Sequence, residues 1–98
     1  MKELIADVES WAMRKGLSNP DYVPSQMLKV VEELGELAGC LAKKKSVEDT
    51  SDAFGDVMVT LIILAHQAGY DLEKCLGLAL DEIKGRTGKT VDGVFIKD

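Results

Sequence analysis

Apolar positions recur at helical spacing through four successive stretches of this chain. In residues 3–15, Leu4, Ile5, Val8, Trp11 and Ala12 return at three- and four-residue steps, as one buried helix face requires. Lys15-Gly16 supplies a stop. Residues 16–24 then read as a loop, with Asn19-Pro20 as its turn signal and Pro24 suited to the first turn of the next helix. That helix covers residues 25–44. Met27, Val30, Val31, Leu34, Leu37, Ala38 and Leu41 form a broad apolar face, with Lys29, Glu32, Glu33, Glu36 and Lys43 opposite.

Lys43-Lys44-Lys45 places positive charge where the helix dipole favours it, and Ser46-Val47-Glu48-Asp49 reads as an N-cap with an acidic first turn. The third helix, residues 47–68, changes character half-way. From Val57 to Ala65 it is apolar nearly all round, a pattern that demands burial on every side. In a chain of 98 residues such burial calls for a second subunit. Gly69 ends this helix and Asp71 caps a fourth over residues 72–85, with Leu72, Cys75, Leu76, Ala79, Leu80 and Ile83 inward. The tail holds Val91-Asp92-Gly93-Val94-Phe95-Ile96, an Asp-Gly turn between β-prone residues, and predicts a short hairpin or extended arm. The pattern therefore predicts one all-α domain over residues 1–98, oligomeric, with an extended C-terminal arm.

Composition narrows the function classes. A formal charge of −5 argues against a nucleic-acid binder, which needs a basic face. Cys40 and Cys75 form no CxxC pair, and with His66 as the one histidine they make no zinc set; they read as packed thiols in a reducing compartment. The first residues carry acids and no apolar signal region, and the longest apolar run is too short to span a bilayer. The expectation is a soluble cytoplasmic protein with no membrane partner.

The acids carry the chemistry. Glu32, Glu33 and Glu36 sit within two turns of the second helix, and Asp52 and Asp56 lie one turn apart on the third. Folded back as an antiparallel pair, the two helices would gather five carboxylates. An exposed acidic face is the commonest reading of such glutamates. Against it, no base stands one turn after them, at Gly39 or Cys40, and Gly35 and Gly39 cost helix propensity, as if another backbone came close. Asp56 stands at the mouth of the apolar run, where an unpartnered carboxylate costs several kcal/mol, roughly. A divalent cation held by acids of both helices would remove that cost, and oxygen-only ligands suit Mg²⁺ or Mn²⁺.

Glu32-Glu33-Leu34-Gly35-Glu36, followed by Gly55-Asp56 and an aliphatic helix, resembles the MazG-like, all-α nucleoside triphosphate pyrophosphohydrolases. Their pattern is EExxE on one helix and ExxD on the next. The resemblance spans nearly the whole chain, including the Trp11–Leu17 segment, Gln26, Lys29 and Asp81-Glu82-Ile83-Lys84-Gly85-Arg86, and is greatest to the short single-domain members of phages and prophages. It implies a four-helix, bundle-like MazG fold and hydrolysis of an NTP or dNTP between the α and β phosphates, with Mg²⁺. Carried over by position, Glu33, Glu36 and Asp56 become metal ligands, joined by Glu32 and Asp52. The chain departs from the pattern at Ala53, where ExxD has an acid; Asp52 is the nearest substitute.

The implied mechanism is metal-assisted hydrolysis, with Glu32 or Glu33 orienting or deprotonating water. Lys84 and Arg86 either bind phosphate or serve as ordinary positive charge at a helix end. Lys29 pairs with the glutamates, reaches phosphate or is solvated, and Trp11 stacks on a base or joins the core. Gly85-Arg86-Thr87-Gly88-Lys89-Thr90 mimics a phosphate loop, but Ile83 stands where that loop needs glycine and a helix precedes it. The rival expectation is a non-enzymatic helical interaction module, or a degenerate member that binds nucleotide without turnover.

Overall fold

The computed structural model describes all residues, Met1–Asp98. Four helices and one hairpin follow in order: α1 (Lys2–Arg14), a single 3₁₀ turn (Pro20–Tyr22), α2 (Val23–Ala42), α3 (Val47–Ala68), α4 (Leu72–Lys84), β1 (Gly88–Val91) and β2 (Val94–Lys97). The boundaries follow local chemistry. Ser46 and Asp71 accept hydrogen bonds from the backbone N–H of Asp49 and Lys74, capping α3 and α4. Gly69 ends α3 at φ +81°, where Tyr70 N–H donates to the Ala65 carbonyl, a closure that requires a left-handed residue. Asp92 and Gly93 both take positive φ, as a two-residue hairpin turn needs, and set Val91 opposite Val94.

The antiparallel α2–α3 pair is the centre of the molecule. α2 presents Gln26, Val30, Glu33, Leu37 and Cys40 to the seam, each buried or half-buried. α3 presents Ala53, Asp56, Val57, Thr60, Ile63 and Gln67. This seam corrects the expected inward face of α2. Met27, Val31, Leu34 and Leu41 stay exposed, while Glu33 turns inward. The reason is angular: the seam lies one residue, about 100°, round the helix from the most apolar stripe. α1 packs along α3 and buries Ala12 fully.

The all-α expectation holds for the body of the chain, and the C-terminal arm forms the short hairpin expected at Asp92-Gly93. The fourth helix does not close a bundle. α4 leaves α3 at 103° and touches it only sparsely, so the inward face expected for it has no partner: Leu76, Leu80 and Ile83 are exposed. No single helix is long and apolar enough to cross a membrane.

Candidate functional site

The site is built on the α2–α3 seam. Gln26 Nε2 donates to the Thr60 carbonyl at 3.0 Å, and Thr60 Oγ1 donates to the carbonyls of Asp56 and Val57 at 3.0 and 2.9 Å. These bonds clamp the two helices one turn from Asp56 and two turns from Glu33. Both carboxylates consequently line one cleft of about 450 Å³, whose walls also include Trp11, Leu17, Lys29 and Val59. Four side chains predicted from sequence, Trp11, Lys29, Glu33 and Asp56, thus meet in one place.

Glu33 is electrostatically the most unusual of them. Its Oε2 is shielded from solvent and has no hydrogen-bond partner. Desolvation pushes its pKa above the ordinary value of 4.5; the neighbouring Glu36 carboxyl adds to the rise, and Asp56 adds repulsion. Lys29 acts in the opposite direction. An orphaned carboxylate oxygen beside a second carboxylate is the chemistry that a divalent cation satisfies. Glu33 and Asp56 are the two carboxylates, one from each helix, that line this cleft.

The other predicted residues divide. Glu32 and Glu36 line an adjoining groove with Gly35, Gly39, Cys40, Lys43 and Lys45. Glu32 is paired: Lys29 Nζ stands 3.2 Å from its Oε2, one turn before it, which is the first of the three roles open to Lys29. Asp52 is exposed. No three acidic, histidine or cysteine side chains come together as a ligand group, so the expected gathering of five carboxylates resolves into the Glu33–Asp56 pair with flanking acids. Gly35 and Gly39 have nothing within 4 Å of where a Cβ would stand, so no backbone of this chain approaches them. Lys84 and Arg86 lie elsewhere, around a cavity of about 620 Å³ with Leu80, Ile83 and Phe95, and Arg86 pairs with Glu82 at 3.0 Å.

Gln26, named from sequence only within the resemblance, and His66 take their partners from the tertiary structure. Gln26 has no charge to draw attention; its position seven residues before Glu33 is the signal that puts it on the seam. Ser18, His66 and Glu9 form a chain, with Ser18 Oγ 2.8 Å from His66 Nε2 and Glu9 Oε2 3.8 Å from His66 Nδ1. It ties the α1–α2 loop and α1 to α3, which accounts for His66 as a satisfied packing histidine. Gln67 reinforces it by donating to the Leu17 carbonyl at 2.8 Å. Cys40 and Cys75 are free and half-buried.

No family model matches the chain, and no solved structure matches it. A curated relative is 37% identical over 76 residues: an uncharacterized 18.2 kDa protein in the rep–hol intergenic region of Haemophilus phage HP1, strain HP1c1. The match covers 76% of this chain and 46% of the phage protein, so the chain spans about half the length of the relative it matches.

Proposed function

We propose that this chain is a Mg²⁺-dependent nucleoside triphosphate pyrophosphohydrolase of the MazG-like type, converting an NTP or dNTP to the monophosphate and pyrophosphate and acting as a homo-oligomer. One observation carries the reading: Glu33 and Asp56, from facing helices, share a cleft with Lys29 and Trp11, and one Glu33 oxygen is shielded without a partner. The phage origin of the 37% identical relative fits the resemblance to short phage and prophage members.

Within this reading Glu33 and Asp56 would hold Mg²⁺, with the Glu36 carboxyl beside Glu33. The bound ion would supply charge neutralisation of the triphosphate and a more acidic water. The residues do the rest. Lys29 stands at the cleft wall as a cation for phosphate oxygens. Trp11, 42% exposed, offers an indole surface to a base. Glu32, exposed in the adjoining groove and paired with Lys29 through one oxygen, is the carboxylate outside the Glu33–Asp56 pair that would accept a proton from water. Val59 and Ile63 give the cleft an apolar wall.

A second reading has one specific support. Ala53 occupies a buried seam position one turn before Asp56, so a methyl stands where the resemblance expects an acid. A degenerate member would bind nucleotide without hydrolysing it. Incubation with a panel of NTPs and dNTPs plus Mg²⁺, following pyrophosphate and monophosphate, separates the two. Turnover that disappears in Glu33→Gln supports the hydrolase; nucleotide binding without turnover supports the degenerate member.

A further inference from the structure

The cleft on the α2–α3 seam has two ends. On α2 Gln26 precedes Glu33 by seven residues, and on α3 Ile63 follows Asp56 by seven. The helices are antiparallel, so both steps run the same way, about 10 Å along the axes. The carboxylates mark one end; Gln26 and Ile63, with Leu17, mark the other. Two buried glutamines furnish this second end, Gln26 at 9% and Gln67 at 3% exposure, the latter one turn beyond Ile63. Gln26 Nε2 donates to the Thr60 carbonyl, and Gln67 Nε2 donates to the carbonyl of Leu17. A backbone carbonyl only accepts, so in each amide the nitrogen must face it and the oxygen must face away. Gln67 Oε1 is shielded from solvent and has no partner. We infer that this end of the cleft receives a nucleobase with an exocyclic amino group, cytosine or adenine, in preference to uracil or hypoxanthine, which carry a carbonyl oxygen at that position. The inference rests on the nucleotide-hydrolase reading above and names the class of base.

The selection comes from the base edge. Trp11, Leu17 and Ile63 offer apolar surface to a ring, but stacking accepts every base alike. The amides do not. Gln26, which lines the cleft, supplies the first acceptor oxygen, and Gln67, bonded to the Leu17 wall, supplies the second. An amino group donates to such an oxygen. A carbonyl in its place leaves two acceptors facing each other, both stripped of water. A glutamine free to turn over would serve amino and carbonyl bases equally. These two are held: turning either amide would set its oxygen against the oxygen of Thr60 or Leu17. The unpartnered Gln67 Oε1 points the same way, since a buried acceptor without a donor is rare in a folded chain and an incoming N–H satisfies it.

Paired substrates test this with the full chain and Mg²⁺: CTP against UTP and ATP against ITP, with their deoxy counterparts. In wild type kcat/KM is expected to favour the amino member of each pair by about tenfold or more. Gln26→Met and Gln67→Met remove one amide each at similar length, and either is expected to bring the ratio toward one. Any general loss of activity falls on both members of a pair, so the ratio separates base selection from a merely structural role. Equal values within the pairs in wild type overturn the inference. So does a preference for the carbonyl member, or an amino preference that neither variant reduces. Circular dichroism checks folding, and where Gln26→Met loses helicity Gln67→Met decides. Where wild type turns over no nucleotide, the same pairs are compared by binding, read from Trp11 fluorescence, and the affinity ratios decide in the same way. Turnover without base preference ends this inference and leaves the hydrolase reading intact. Amino-selective binding without turnover does the reverse, and absence of both turnover and binding ends both.

Discussion

Gln26 donates its side-chain amide to the Thr60 carbonyl at 3.0 Å, and this bond sets the register in which Glu33 lies beside Asp56. Gln26 is buried at 9% exposure, so removing its amide leaves a packing defect as well as a lost bond. Gln26→Ala is expected to lower stability by about 1–3 kcal/mol. That corresponds to a fall in Tm of roughly 4–8 °C per kcal/mol in a domain of this size. Thermal unfolding checks the stability, and Mg²⁺-dependent turnover should fall with it because the two carboxylates lose their common register.

Glu33→Gln and Asp56→Asn each remove one donor of the pair without changing side-chain size. Turnover of the best nucleotide is expected to fall by about 100-fold or more in either variant, with the Mg²⁺ concentration for half-maximal rate displaced upward. Glu32→Gln should lower the rate while leaving that Mg²⁺ concentration in place. A Mg²⁺ titration of rate distinguishes the two kinds of loss. Chelation of divalent ions should abolish turnover in wild type.

The pH dependence of stability follows from Glu33. Its pKa in the folded chain is raised above 4.5 by burial and by Glu36 and Asp56. The unfolded chain gives up that proton more readily, so the contribution to stability is fully present below pH 4.5 and is lost as pH rises through the folded value. In metal-free buffer wild type should therefore lose stability relative to Glu33→Gln as pH rises toward neutrality. Mg²⁺ should oppose the loss, because it binds the ionised form. Paired denaturation curves across pH, with and without Mg²⁺, check both signs.

Trp11 is the one tryptophan in the chain and lines the cleft. Its fluorescence should change when a nonhydrolysable nucleotide binds with Mg²⁺ and stay constant when that nucleotide is added to Asp56→Asn. Trp11→Phe should preserve turnover better than Trp11→Ala, the latter raising KM by about tenfold if the indole contributes 1–2 kcal/mol of stacking.

Ala53 tests the departure from the resembled pattern. At 7% exposure it faces the seam, so Ala53→Glu places a carboxylate among Glu33 and Asp56. Metal-free stability should fall by about 2–4 kcal/mol. Mg²⁺ should restore more stability than it adds to wild type, as measured by the Mg²⁺-dependent shift in Tm.

The sequence by itself determined the helices, because their ends rest on chemistry within a few residues: Ser46 and Asp71 as caps, Gly69 as a left-handed stop, Asp92-Gly93 as a hairpin turn. It also marked Glu33 and Asp56, whose spacing and setting beside an apolar run are local facts. Which of several acids faces inward was decided only by the tertiary structure. An apolar stripe broad enough to include Met27, Val31 and Leu34 permits several rotations of α2, and the Gln26–Thr60 clamp selects the one that turns Glu33 to the seam and leaves the stripe outside. The same rotation pairs Glu32 with Lys29. The placement of Lys84 and Arg86 was likewise beyond the sequence. Helix periodicity states which residues share a face, but the 103° departure of α4 from α3 depends on what that face packs against, and within one chain it packs against very little.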